Sequence, residues 1–310
     1  PGQLVPRIRP ARRITSGRGK PVSTGLNGSS DLDAVAVNLL GSVEHPGFAG
    51  GPYRVDADGS PYVPVGDGGI VLGLALGDSV FALDGDHAAP GACLTHGDQA
   101  ARHALVLYSC IGNEAVVRSG AAAEARGAVI GKRGEAGRVI VGFRPADLAR
   151  MRPGDQVSVR ARGQGFRPGW LPADVAMMSL DPDLHAALPV KVTDDGAVSV
   201  GVRAVLPSRL AGNGLGRPAA GWDLDLQVRD GDGHDLRLGD LVAIDDIDSR
   251  YNMGYRRGWV SVGIVVHGAS PQPGHGPGIT PILTGPKSAL VISADAEGHV
   301  GLTAALVKLQ

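Results

Sequence analysis

The chain has 310 residues, 43% of them hydrophobic and 20% charged, with a formal net charge of −1. That length and apolar content can bury a full core, as two domains or one large all-β unit, and the charge balance excludes a general basic field for wrapping nucleic acid or coating an anionic membrane. Two cysteines, Cys93 and Cys110, are too few for a disulfide framework, and no uninterrupted apolar run approaches the roughly 18 residues of a membrane helix.

No secretory leader opens the sequence, so the expected location is cytoplasmic, away from membranes, and the chain is expected to form a homo-oligomer. Residues 7 to 20 carry six of the Lys and Arg residues before the first apolar run. They read as a flexible basic arm over residues 1–30, followed by a first β-barrel domain over 31–152 and a second β-rich domain over 153–310.

The 48 glycines and 22 prolines fall between short β-branched runs, which argues for a mostly β fold of small barrels with glycine-rich loops and few short helices. Strands are expected at Gly69 to Leu76, Val80 to Leu83, Leu105 to Ser109, Ala115 to Arg118, Ala128 to Ile130 and Arg138 to Phe143. Further strands are expected at Gln156 to Arg160, Val198 to Val205, Leu241 to Ile244, Val260 to Val266 and Ile279 to Leu283. Short helices are expected at Pro145 to Met151 and, behind Asp181, at Pro182 to Leu188. A Gly-Asp pair opens an apolar run at Gly77-Asp78, Gly154-Asp155 and Gly239-Asp240, with Gly112-Asn113 a near relative. Glycine supplies the permissive backbone angle, and the carboxylate accepts backbone N–H groups across the turn.

Three stretches carry residues suited to chemistry. In Asp84-Gly85-Asp86-His87 the adjacent Asp86 and His87 can share one ion only from a bend, with His96 or His103 as a further ligand that would complete a mixed N/O site. Cys110 follows an apolar run, where a buried, inert thiol is the simpler reading. In Asp245-Asp246-Ile247-Asp248 three carboxylates in four positions need a cation or an arginine to compensate them. Tyr255 and Arg256 follow closely. In Gly274-His275-Gly276-Pro277-Gly278 the glycines turn backbone N–H groups toward one concavity around His275, with His267 at the preceding strand end.

Gly85-Asp86-His87 with Pro90-Gly91, Ser109 to Glu114, Gly163-Gln164-Gly165, Asp181 to Leu184 and Ser261 to Gly278 resemble the uncharacterised prokaryotic family catalogued as domain of unknown function 4438, whose pattern would place a His at the third position of the run Asp245 to Asp248. The resemblance runs from about residue 65 to 285. It implies a shared fold and pocket but carries no established reaction. Gly120 to Phe143 looks like the small barrel motif of ribosomal and transcription proteins, although Ala121 to Ala125 replace its usual lysine and glycine. Asp86-His87 is also similar to a strand-end motif of metal-dependent acetamidase and formamidase proteins.

The resulting expectation is an enzyme acting on a small polar molecule by hydrolysis or elimination, assisted by a divalent metal ion of unspecified identity or by an Asp/His acid–base pair. His275, His267 and Asp246 are assigned to catalysis. Asp86, His87 and Asp248 are assigned to the metal. Gly276, Gly278, Tyr255, Arg256 and Asn113 are assigned to the substrate. Nucleic acid is not expected as a partner, although an RNA-binding or ribosome-associated barrel is the main rival reading; a non-catalytic ligand-binding or assembly protein is the other.

Overall fold

The computed structural model describes residues 35–47, 51–134, 137–294 and 300–309. The basic arm lies outside the described residues. The protein is mostly β. Six antiparallel strands close into a barrel in the order Ala36–Val43, Gln156–Arg162, Glu114–Val117, Arg126–Arg133, Arg138–Phe143 and Gly91–Thr95, which pairs back onto Ala36–Val43. Closure leaves these six strands without a free edge. Gln156–Arg162 lies beyond the boundary expected at 152/153, so the barrel reaches further along the chain than the turn-rich stretch before it suggests.

The second sheet runs Ala176–Met177, Gly278–Pro286, Gly254–His267, Leu241–Asp248 and Ala204–Leu206, and the short strand Leu224–Asp225 also pairs with Gly278–Pro286. A smaller three-stranded sheet joins Val190–Val192, Val198–Val202 and Leu290–Ala294. The period-2 alternation of strands welds barrel and second sheet together. Val129, Val139 and Val141 point into the barrel core, while Ile130 and Ile140 point the other way and pack with Val262, Ile264 and Val266. Strands buried on both faces read as continuous apolar runs, which is how Arg138–Phe143 reads.

The Gly-Asp turns share one device. Gly77, Gly154, Gly239 and Gly112 all have φ between 92° and 96°. The side chains of Asp78, Asp155, Asp240 and Asn113 each accept the N–H three residues back, all at 2.8 Å. Those carboxylates therefore hold turns.

Several elements differ from expectation. Gln99–Tyr108 is an α-helix where a strand is expected at Leu105 to Ser109; Asp98 caps it by accepting the Ala101 N–H at 2.8 Å, and the buried Leu105 and Val106 face the barrel core. An apolar run this short does not distinguish the two periods. Val80 to Leu83 forms turns, and Pro182 to Leu188 holds only the 3-10 turn Leu184–Ala187. No helix among the described residues is long and apolar enough to cross a membrane.

Candidate metal centre

Sheet register builds the site. Asp225 pairs with Gly278, and Gly278 pairs with His267, so the three residues stand abreast on neighbouring strands. Abreast residues share a face. The central one has no side chain, and a Cβ at Gly278 would lie 1.9 Å from His267 Nε2, so the imidazole folds over the glycine toward Asp225. Asp223, two residues before Asp225, sits on the same side of the chain and reaches His267 Nε2 at 2.8 Å.

The barrel pins this corner. Beyond the barrel strand Arg126–Arg133, the Gly134 N–H donates to Asp223 Oδ1 at 2.9 Å. Lys132, fully buried, donates from Nζ to the Ala220 carbonyl at 2.7 Å and to Ser179 Oγ at 3.3 Å. Burial lowers its pKa to about 8.

His87 arrives from the loop before Gly91–Thr95. Its φ of 56° is the left-handed conformation that non-glycine residues rarely adopt, at a cost of roughly 1–2 kcal/mol. The bend sets Asp86 Oδ1 beside His87 Nδ1 while His87 Nε2 faces Asp225. Asp86 Oδ2 accepts from Arg54 at 2.8 Å and Tyr62 at 2.9 Å, Oδ1 accepts from Ser270 at 2.7 Å, and Gln272 reaches both oxygens. Burial would raise the Asp86 carboxyl, but the adjoining His87 imidazole and hydrogen bonds from Ser270 and Tyr62 outweigh it and hold the group far below the usual carboxylate range. With these partners Asp86 stands behind His87 as its support, not beside it as a second ligand.

Each imidazole of the cluster has Nδ1 turned to an oxygen. His87 Nδ1 lies 2.5 Å from Asp86 Oδ1, off the line of an ideal hydrogen bond. His267 Nδ1 donates to the Gly268 carbonyl at 3.0 Å, and His275 Nδ1 donates to the Pro273 carbonyl at 3.0 Å. That leaves three Nε2 atoms for the interior, the arrangement by which a second-shell acceptor fixes the tautomer of a ligating histidine. His267 faces acceptors at both nitrogens. Burial would lower its pKa, but Asp223 and Asp225 outweigh burial and push it up to about 9.

Asp225 lies at the centre. Its Oδ2 is 3.5 Å from His87 Nε2 and its Oδ1 is 3.4 Å from His267 Nε2. Asp225 Oδ2 and His87 Nε2 are buried and make no hydrogen bond among the described residues. His87, Asp225 and His275 offer ligand atoms within 4.8 Å of one another, as do Asp223, Asp225 and His267.

The residues assigned from sequence therefore divide. Asp86, His87, His267, His275 and Gly278 converge, and Gly276 packs beside them, its Cα so close to the Leu226 carbonyl that a Cβ would lie 1.8 Å from that oxygen. Asp246, Asp248, Tyr255 and Arg256 lie elsewhere, on the hairpin at the opposite end of the Gly254–His267 strand, up to roughly 40 Å of strand contour away. There Asp246 occupies a β-bulge with φ 58° and accepts the Gly258 N–H at 2.8 Å. Asp248 is neutralised by Arg250 and Arg256, whose guanidinium groups lie 4.0 and 4.1 Å from the Trp259 ring. Asn113 is buried and bonded to Cys110, Arg162 and Asp181. The Cys110 thiol is pushed up by burial to about 11.

Asp223 and Asp225 do not figure in the sequence reading, although the alternation Trp222-Asp223-Leu224-Asp225 puts both carboxylates on one face of an extended chain. A surface cleft of about 580 Å³ against Arg126, Arg160 and Arg162 contains none of the cluster residues. Arg126 is paired with Glu114 there, and Arg162 with Asp181 and Asp183.

The solved structure of the protein called TM1086 is 35% identical to this chain and aligns with a TM-score of 0.82, covering 86% of this chain and 95% of that one. No curated protein matches the chain. The description "Domain of unknown function (DUF4438), N-terminal" matches residues 53–186, and its C-terminal counterpart matches residues 187–302. The chain belongs to the DUF4438 family.

Proposed function

We propose that the protein is a divalent-metal-dependent enzyme acting on a small polar molecule by hydrolysis or elimination, with His87, His267, His275, Asp223 and Asp225 as the metal ligands. One observation carries the reading: Asp225 Oδ2 and His87 Nε2 are buried, 3.5 Å apart, and hydrogen-bonded to nothing among the described residues. Buried polar atoms left this way cost about 1–3 kcal/mol each. A cation between them removes that cost, and the His and Asp donors suit zinc or another transition metal better than calcium or magnesium.

A divalent ion held here would supply a Lewis acid and bring the pKa of a bound water toward neutrality. The chain's own residues supply the rest. Asp86 orients His87, the Gly268 and Pro273 carbonyls orient His267 and His275, and the Gly134 N–H holds Asp223 through Oδ1 so that Oδ2 faces His267. His275, half-buried while the other four are buried, marks the side from which a substrate approaches. Short-chain amides are the first substrates to try, because Asp86-His87 is similar to the acetamidase and formamidase motif.

The test is turnover of small amides and hydroxy acids by the full chain with and without a chelator. Loss of activity in chelator, its return with a divalent ion, and its absence in a folded His275→Ala variant are the expected results. Turnover that persists in chelator, or in that variant, contradicts the reading.

A further inference from the structure

Resting on that metal-dependent reading, we infer that the cluster holds two divalent ions bridged by the Asp225 carboxylate. The ligand atoms fall into two sets that share one residue. His275 belongs only to the set with His87, while Asp223 and His267 belong only to the other, and Asp225 completes both. Its two oxygens diverge accordingly, Oδ2 toward His87 and Oδ1 toward His267.

The two Asp225 separations match coordination better than hydrogen bonding, whereas His267 Nε2 and Asp223 Oδ2 stand at hydrogen-bond distance, 2.8 Å, and would part as an ion displaces the proton between them. Two donors each about 2.1 Å from one ion at a near-tetrahedral angle lie about 3.4 Å apart. The two Asp225 contacts measure 3.5 and 3.4 Å, one on each side of the carboxylate. The His87 ring meets the His267 ring at 65° and the His275 ring at 86°, with centroids 5.1 and 5.2 Å away. Rings set edge to face in this way do not stack, so their ring nitrogens are not held in parallel against one another. A carboxylate spanning two ions about 3.5–4 Å apart is the usual geometry of paired-metal hydrolytic sites. Gly278 keeps the second position open, because any side chain there would occupy the space beside His267 Nε2. Two carboxylates against two dications leave the pocket net positive, so the third party it admits is an anion or a group developing negative charge.

The test is titration of the chelator-stripped full chain with Mn2+, counting bound ions by equilibrium dialysis and recording their electron paramagnetic resonance. Two ions per chain with an exchange-coupled spectrum are expected. The His275→Ala and Asp223→Asn variants should each retain one uncoupled ion. One ion per wild-type chain overturns the bridge while leaving the metal-dependent reading standing, and no bound ion with either Mn2+ or, in a parallel dialysis, Zn2+ overturns both. Two uncoupled ions, or a His275→Ala variant that still binds a coupled pair, also overturn the bridge.

Discussion

His87 Nε2 and Asp225 Oδ2 face each other across 3.5 Å inside the protein, and neither makes a hydrogen bond among the described residues. The two atoms come from opposite halves of the chain, His87 from the loop before a barrel strand and Asp225 from the second sheet. A shared ligand between them would therefore tie the halves together. Binding that favours the folded state raises stability by about 2.7 kcal/mol at a hundredfold excess over Kd. Thermal denaturation of wild-type protein should shift upward with added Zn2+ or Mn2+, and Asp225→Asn should abolish the shift. The same upward shift in the variant would count against these atoms as ligands.

Asp86 tests support of the ligand separately from ligation. It accepts from Arg54, Tyr62, Ser270 and Gln272 and faces His87 Nδ1. Asp86→Asn should weaken metal binding by about 10–100-fold without eliminating it, the usual effect of removing an outer-shell carboxylate. Calorimetric titration measures this. Complete loss of binding in a folded variant would make Asp86 a direct ligand.

Two glycines of the same turn should behave differently. Gly278→Ala places a methyl 1.9 Å from His267 Nε2, so it should displace the ring and eliminate metal binding. Gly274 has φ 77° but open space around its Cβ position. Gly274→Ala should cost about 1 kcal/mol through backbone strain and leave binding intact. Paired denaturation and binding curves separate the two outcomes.

His267 gives the pH dependence. Its metal-free pKa is raised from 6.5 to about 9. Its contribution to stability is then complete below about pH 6.5 and lost as pH rises through about 9, with a magnitude on the order of 3 kcal/mol. The stability gap between wild type and His267→Gln should narrow over that interval. Because a metal must displace this proton, binding at pH 7 should release it and tighten toward pH 9. Calorimetry in buffers of different ionisation enthalpy reads the proton count, and zero release would contradict the assignment.

The hairpin carboxylates provide the negative control. Asp248 is bonded by Arg250 and Arg256 and lies at the far end of the long strand. Asp248→Ala should cost about 1 kcal/mol and leave metal content unchanged. Loss of bound metal in this variant would return the site to the acidic hairpin.

The sequence was informative where local chemistry alone determines structure. The Gly-Asp turns and the continuous apolar run of Arg138–Phe143 follow from backbone angles and burial on both faces, and both are visible residue by residue. Asp86-His87, His267 and the Gly274 to Gly278 turn stand out by composition. Asp223 and Asp225 do not, because their role depends on a two-residue strand pairing with Gly278, a contact between segments 53 positions apart. The run Asp245 to Asp248 misleads for the opposite reason: its charges are adjacent in sequence, but each has its own partner, Lys287 for Asp245, the Gly258 N–H for the bulged Asp246, and Arg250 with Arg256 for Asp248. The helix Gln99–Tyr108 is hidden because only Leu105 and Val106 of it are buried.

The most direct measurement is an anomalous difference map from a crystal of the full chain grown or soaked with Mn2+ or Zn2+. The account predicts density within about 2.0–2.3 Å of Asp225, with His87 and His275 on one side and His267 and Asp223 on the other. A fully loaded crystal with no peak among these five side chains, or with its peak at Asp246 and Asp248, would contradict it.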